Sequence, residues 1–373
     1  MVRRLVFFFV LNFSCLTLAI SQQNIRSFYI GHSLSDGIAE MVKSLAEFHP
    51  QAELSFTYQS IPGSSLAYNW DAKKRNDYRS IPPFFYGFYD PNFGLPNGKF
   101  DVLVLTESVP RFSAVIQDSY QYADSFYRFA TKFNSNIKIY LYEPWHCILS
   151  GTPNPCAWDV PSAPWRQRLT ADLPMWESIV DTLNNRFKPK NSVCLIPAGQ
   201  AFAALFDSIQ LGKIPGITKL SDLFVDDIHL TDVGKYFISC VHFATLFNLS
   251  PVGLPNQLYS MWGAAFNPPS SAQAFKFQQI AWQIAKTYPK SCIKSSTDLD
   301  QTLEESEKIK LFPNPVSDHF QFMGSQNISH YQLFNSLGQL IFEGNDKSLN
   351  VSHLSPGVYF VKIGKQFIRL IKK

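Results

Sequence analysis

The chain has 373 residues, 46% of them hydrophobic and only 17% charged, with a formal net charge of +4. That length and composition describe a globular protein with a large core and predict two domains. The charge is small for the length, and Lys and Arg are scattered rather than gathered into an aromatic-laced stripe, which sets nucleic-acid binding aside.

Taken in chain order, residues 1–21 place Arg3 and Arg4 before an apolar stretch rich in Phe and Leu. Ala19 and Ser21 then hold the small-residue positions of a cleavage site. This pattern reads as a secretory signal peptide. No later segment stays apolar for about twenty residues, so no transmembrane segment is expected in the mature chain.

From residue 25 to about 250, short apolar runs alternate with helical periodicity. The predicted strands are RSFYI (26–30), ELSFTY (53–58), DVLVLT (101–106), IKIYLY (137–142) and SVCLIP (192–197). Continuous rather than alternating hydrophobicity predicts that central strands such as DVLVL are buried on both faces. Helical spacing is clearest in DGIAEMVKSLAEF, SYQYADSFYRFATKF, LPMWESIVDTLNNRF and VGKYFISCVHFATLF. The alternation predicts an α/β fold, a doubly wound, three-layer parallel sheet, with ligands bound beyond the carboxyl ends of the strands. After residue 250, LPNQLYSMWGAAFNPPSS reads as a loop and AQAFKFQQIAWQIAKTY as a closing helix, so this α/β domain is expected to span 25–293. Residues 294–308 are polar and acidic and read as a linker. Residues 309–373 change to short alternating runs broken by Gly, Asn, Asp and Ser, which predicts a small all-β sandwich domain.

Loss of Cys15 with the signal leaves Cys147, Cys156, Cys194, Cys240 and Cys292. An odd number in an exported chain leaves at least one thiol free or paired elsewhere. Cys147 and Cys156 bracket the Gly- and Pro-containing loop CILSGTPNPC, where a disulfide-closed turn is one reading. No second Cys or His stands beside either at zinc-ligand spacing. Cys194 and Cys240 lie in apolar runs and read as core residues.

The run DDIHLTDVG places Asp226 three residues before His229, a spacing at which one carboxylate can hold one imidazole. Such a histidine can act as a general base for a nucleophile, and FYIGHSLSDG offers Ser33 just after the first strand. A serine there can also cap a helix, a task Ser35 or Asp36 could take instead. Asp227 is the competing carboxylate, with a solvated loop charge as its plainer role. The segment from Leu141 to Leu169 is rich in Trp and Pro. Its Trp145, Trp158 and Trp165 could line a sugar or acyl site, or simply pack the loop onto the sheet. His146 could be an auxiliary polar group or a structural one.

GHSLSDG after a first strand and DDIHLTDVG before a last helix together resemble the first and last blocks of the SGNH hydrolases, the GDSL-like esterases and lipases. The resemblance covers roughly residues 25–250. It implies a flavodoxin-like sheet, Ser33 as nucleophile, Asp226 and His229 completing the triad, and the Ser33 backbone N–H as an oxyanion donor. The family's second-block glycine would correspond to Gly63 in IPGSSLAYNW, which could equally be an ordinary turn glycine beside Pro62. At the third block the family has an asparagine, whereas this chain has Glu107 and Ser108. An ionised Glu107 would repel an oxyanion, so either Ser108 donates, or Glu107 is protonated or turned to another partner, or other donors serve. Glu107, Trp145 and His146 are carried as candidate substrate contacts.

The C-terminal stretches LFPNPVSDHF, YQLFNSLGQLIFEG and LSPGVYFVKIGKQFIRLIKK resemble, in order, the sorting domains read by the type IX secretion system. This implies passage across the outer membrane and a secreted or cell-surface protein, with that machinery as partner through residues 309–373. The expected activity is hydrolysis of carboxylic esters, O-acyl groups on carbohydrates among them, through an acyl-enzyme on Ser33 without metal or organic cofactor. The alternative is a non-catalytic surface or glycan-binding protein on the same fold.

Overall fold

In the computed structural model of the chain, residues 22–75, 87–109, 115–159, 163–293, 310–323, 330–335, 339–346, 348–363 and 366–373 are described. The expected signal peptide and linker lie outside them. The chain divides into two compact units, residues 1–295 and 296–373.

The first unit is built on five parallel strands: β1 (Gln23–Gly31), β2 (Ala52–Ser60), β3 (Val102–Thr106), β4 (Lys138–Tyr142) and β5 (Cys194–Ile196), in the order β2-β1-β3-β4-β5. Helices α1 (Ile38–Glu47), α2 (Leu66–Arg75), α3 (Ile116–Phe133), α4 (Trp165–Ala171), α5 (Leu173–Phe187), α6 (Ala198–Gln210), α7 (Asp232–Phe247) and α8 (Ser271–Thr287) flank the sheet. Because successive side chains point to opposite faces, each central strand feeds two cores. Val102 and Val104 of β3 join Tyr140 and Tyr142 of β4 under α1, α6, α7 and α8. Leu103 and Leu105 join Ile139 and Leu141 under α2, α3 and α5. This is the doubly wound, three-layer architecture that the continuous apolar runs predict.

Two disulfides occur among the described residues. Cys147 is joined to Cys156. Cys194, read from its apolar surroundings as a plain core residue, is instead joined to Cys292, 98 residues away. The apolar run reflected its burial, and sequence spacing carries no information on so distant a partner. Cys240 is the buried free thiol, and burial pushes its pKa up.

Glu143, fully buried just after β4, accepts a hydrogen bond from Gln200 Nε2 at 2.7 Å. Burial pushes its carboxyl from 4.5 up to about 8, against the opposing Gln200 bonds. The folded state therefore keeps a proton that the unfolded chain releases. Its contribution to stability is fully present below pH 4.5 and is lost as pH rises through about 8. Denaturant unfolding should show that decline, and Glu143→Gln should remove it. An unchanged slope in the variant would assign the decline to other groups.

The second unit has two antiparallel sheets. One is β10-β7-β6 and the other β12-β11-β8-β9, from β6 (Lys310–Phe312), β7 (His319–Met323), β8 (Tyr331–Asn335), β9 (Leu340–Gly344), β10 (Ser348–Asn350), β11 (Gly357–Ile363) and β12 (Gln366–Lys372). Val316, Phe320, Tyr331, Leu333, Val361 and Leu370 form its core. No described helix is long and apolar enough to cross a membrane.

Candidate active site

Ser33 opens a single 3-10 turn, Ser33–Ser35, at the carboxyl end of β1. The chain can turn so tightly there because Gly31 has no side chain. A Cβ at that position would stand 2.6 Å from Ser35 Oγ and 2.8 Å from Thr106 Cβ. The turn is held from several sides. Leu34 N–H donates to His32 Nδ1 at 3.4 Å, His32 Nε2 donates to the Glu107 carbonyl at 3.1 Å, and Tyr142 donates its hydroxyl to Leu34 O at 3.2 Å. The cap is therefore His32, which leaves the Ser33 side chain for another partner.

That partner comes from the loop between the 3-10 turn Leu220–Leu223 and α7. Asp226 Oδ1 accepts from the backbone N–H of Ile228 at 2.9 Å and of His229 at 2.6 Å, folding the loop around the carboxylate. Its Oδ2 then lies 2.7 Å from His229 Nδ1, and His229 Nε2 lies 2.9 Å from Ser33 Oγ. With Nδ1–H donating to Asp226, Nε2 carries the lone pair that accepts from the serine. Burial resists ionisation of Asp226, but the two N–H bonds and the imidazole outweigh it and hold its pKa below the ordinary carboxylate value. The loop is pinned from behind by Ile148 N–H on Asp227 O at 2.8 Å and by Trp145 Nε1 on Ile228 O at 2.8 Å. Thr231 caps α7 through Gly234 N–H.

Ser33 and His229 open into a cleft of about 480 Å³. Gly63 lines it and has φ of +68°, a conformation that favours glycine. No neighbour lies within 4 Å of a Cβ built there, so the backbone turn alone requires the glycine. Among the described residues, neither Ser33 N–H nor Gly63 N–H has a protein acceptor. Both are therefore available to an oxyanion in the cleft. Ser108 also lines the cleft, but both its N–H, at 2.8 Å, and its hydroxyl, at 3.4 Å, donate to Glu107 Oε1, so this residue is engaged by the neighbouring carboxylate.

Three candidate substrate contacts are corrected. Glu107 is buried and turned away from the cleft. Its Oε1 accepts from Leu66 N–H at the start of α2 at 3.1 Å, and its Oε2 accepts from the Ser119 hydroxyl at 2.8 Å. These donors hold the carboxylate at a helix N-terminus, where negative charge is favoured. Trp145 is fully buried, and its indole supports the histidine loop. His146 is buried beside Arg168, with its Nε2 3.0 Å from Asp172 Oδ2. Trp165 is buried as well, so of the three tryptophans only Trp158, 41% exposed, lines the cleft.

Sequence reasoning missed the support of that wall. Arg168, itself buried, donates to both oxygens of buried Asp159 at 2.6 and 2.5 Å, fixing the residue after Trp158. Buried Asn69 likewise donates to Gly31 O at 3.2 Å and to Ser64 Oγ at 2.6 Å, tying the Gly63 turn to the nucleophile turn. Neither pair has a local spacing signal. Cys147, Cys156 and Asp227 form a group at metal-ligand distances, but the two sulfurs are bonded to one another and are not thiolate donors.

No curated protein matches the chain. Among solved structures it is similar to a DUF4886 family protein from Bacteroides uniformis, at 15% identity and a TM-score of 0.47, covering 74% of this chain and 99% of that one. It is also similar to the lipase/acylhydrolase from Enterococcus faecalis, at 13% identity and a TM-score of 0.34, covering 60% and 96%. Residues 310–373 match the secretion system C-terminal sorting domain, which makes this an exported protein, carried across the outer membrane to the cell surface or beyond by a type IX system.

Proposed function

We propose that residues 25–293 form a serine esterase domain that cleaves carboxylic esters through an acyl-enzyme on Ser33. The observation that carries this reading is the line from Asp226 Oδ2 through His229 to Ser33 Oγ, with contacts of 2.7 and 2.9 Å, at the mouth of a cleft. His229 Nε2 takes the Ser33 proton as Oγ bonds to the ester carbonyl carbon. Ser33 N–H and Gly63 N–H face the oxygen that becomes negative. Collapse of the tetrahedral intermediate breaks the bond to the alcohol oxygen, which leaves with the proton held by His229. Water, deprotonated by the same imidazole, then releases the acid and restores Ser33.

Glu107, the departure that set the oxyanion site in question, does not weigh against this chemistry because its charge is directed at α2 rather than into the cleft. The expected preference for carbohydrate O-acyl esters is left with Trp158 as its aromatic support. A fluorophosphonate probe should label the folded protein, with the adduct on Ser33 by peptide mass spectrometry. A folded protein that takes up no label would instead be the non-catalytic binding protein.

A further inference from the structure

We infer that the wall formed by Trp158 and Asp227 is a subsite for a cationic alkylammonium group on the alcohol side of the ester. The inference rests on the esterase reading for its position in the substrate, and its chemistry follows from the wall itself.

Leu34, Pro62, Val109 and Ile228 make much of the cleft apolar, and no described lining residue is a lysine or arginine. Asp227, half-buried, lines this surface too. Among the described residues it forms no ion pair, and its Oδ2 rests 2.8 Å from Cys156 Sγ. A carboxylate partly removed from water with no cation beside it gains most from a ligand that brings one. The exposed indole of Trp158 shares the cleft, and an aromatic face is the other surface that attracts alkylammonium groups.

Both groups are set in place before a ligand arrives. The Cys147–Cys156 disulfide and the Ile148 N–H bond to Asp227 O at 2.8 Å tie the two loops together, and Arg168 holds Asp159 next to the tryptophan. A sugar hydroxyl can donate to Asp227 but brings no positive charge, so it leaves the carboxylate without a counter-ion.

The test compares acetylcholine with 3,3-dimethylbutyl acetate, its uncharged isostere, which undergoes the same bond cleavage. The wild-type protein should favour the cation in kcat/KM by about 10-fold or more. That ratio should fall toward one in Asp227→Asn and in Trp158→Ala. Calorimetry on Ser33→Ala, which binds without turnover, should show the same preference in Kd. Equal treatment of the two esters in both measurements overturns the subsite, as does a preference for an acetylated methyl glucoside over acetylcholine. A binding preference without any ester turnover, p-nitrophenyl acetate included, upholds the subsite while removing the esterase reading.

Discussion

Ser33→Ala and His229→Ala are each expected to lower kcat/KM for p-nitrophenyl acetate by about 10⁴-fold or more, leaving only what the cleft and its N–H donors provide. The two losses should not add. A serine without its base and a base without its serine each leave the same residual site, so the double variant should resemble either single one. Asp226→Asn should also slow turnover while leaving Ser33 and His229 in contact, because an amide can offer its NH₂ group to Nδ1 and favour the wrong tautomer. Thermal midpoints should stay near wild type for Ser33→Ala, whose side chain meets the cleft rather than the core. Steady-state rates with matched unfolding curves decide the matter. Wild-type rates in both single variants would remove the triad.

Much of this site could be read before any coordinates because its parts are local. Asp226 and His229 stand close in sequence, and one loop joins them through the same carboxylate that accepts two backbone N–H groups. Ser33 follows a strand whose apolar run marks it as central. The central strands were legible for a similar reason, since a strand buried on both faces, as β3 is, must be apolar at every position. Side-chain direction was not legible. Glu107 occupies the position where a donor was expected, and its carboxylate is held by donors that include Leu66 and Ser119, which packing brings near. Trp145 and Trp158 are equally suited by composition to line a cleft. The partner that buries one, the Ile228 carbonyl 83 residues away, has no signature in the sequence. Helix α6 went unread because AGQAFAALF carries a single polar side chain, Gln200, and its polar face emerges only with Asp207 and Ser208.

The second large effect concerns stability. Joining Cys194 to Cys292 closes a loop of 98 residues that contains α6, α7 and α8 together with the Asp226–His229 loop. A cross-link of that span removes much of the freedom of the unfolded chain, and its loss is expected to cost about 2–5 kcal/mol. Cys194→Ala/Cys292→Ala should therefore melt about 5–15 °C below wild type. Cys240→Ala, which removes a buried thiol but no cross-link, separates the packing loss from the constraint. Its change should be the smaller, because only a few atoms leave the core. Dithiothreitol should lower the wild-type midpoint toward that of the double variant while moving the double variant less. The cleft lies at the carboxyl ends of β1 and β3, and none of its described lining residues belongs to β5 or to the segment around Cys292. Ester turnover at 25 °C should accordingly survive in the double variant even as its unfolding midpoint falls. Equal midpoints for wild type and double variant would show that the three helices close over the sheet without help from the bond.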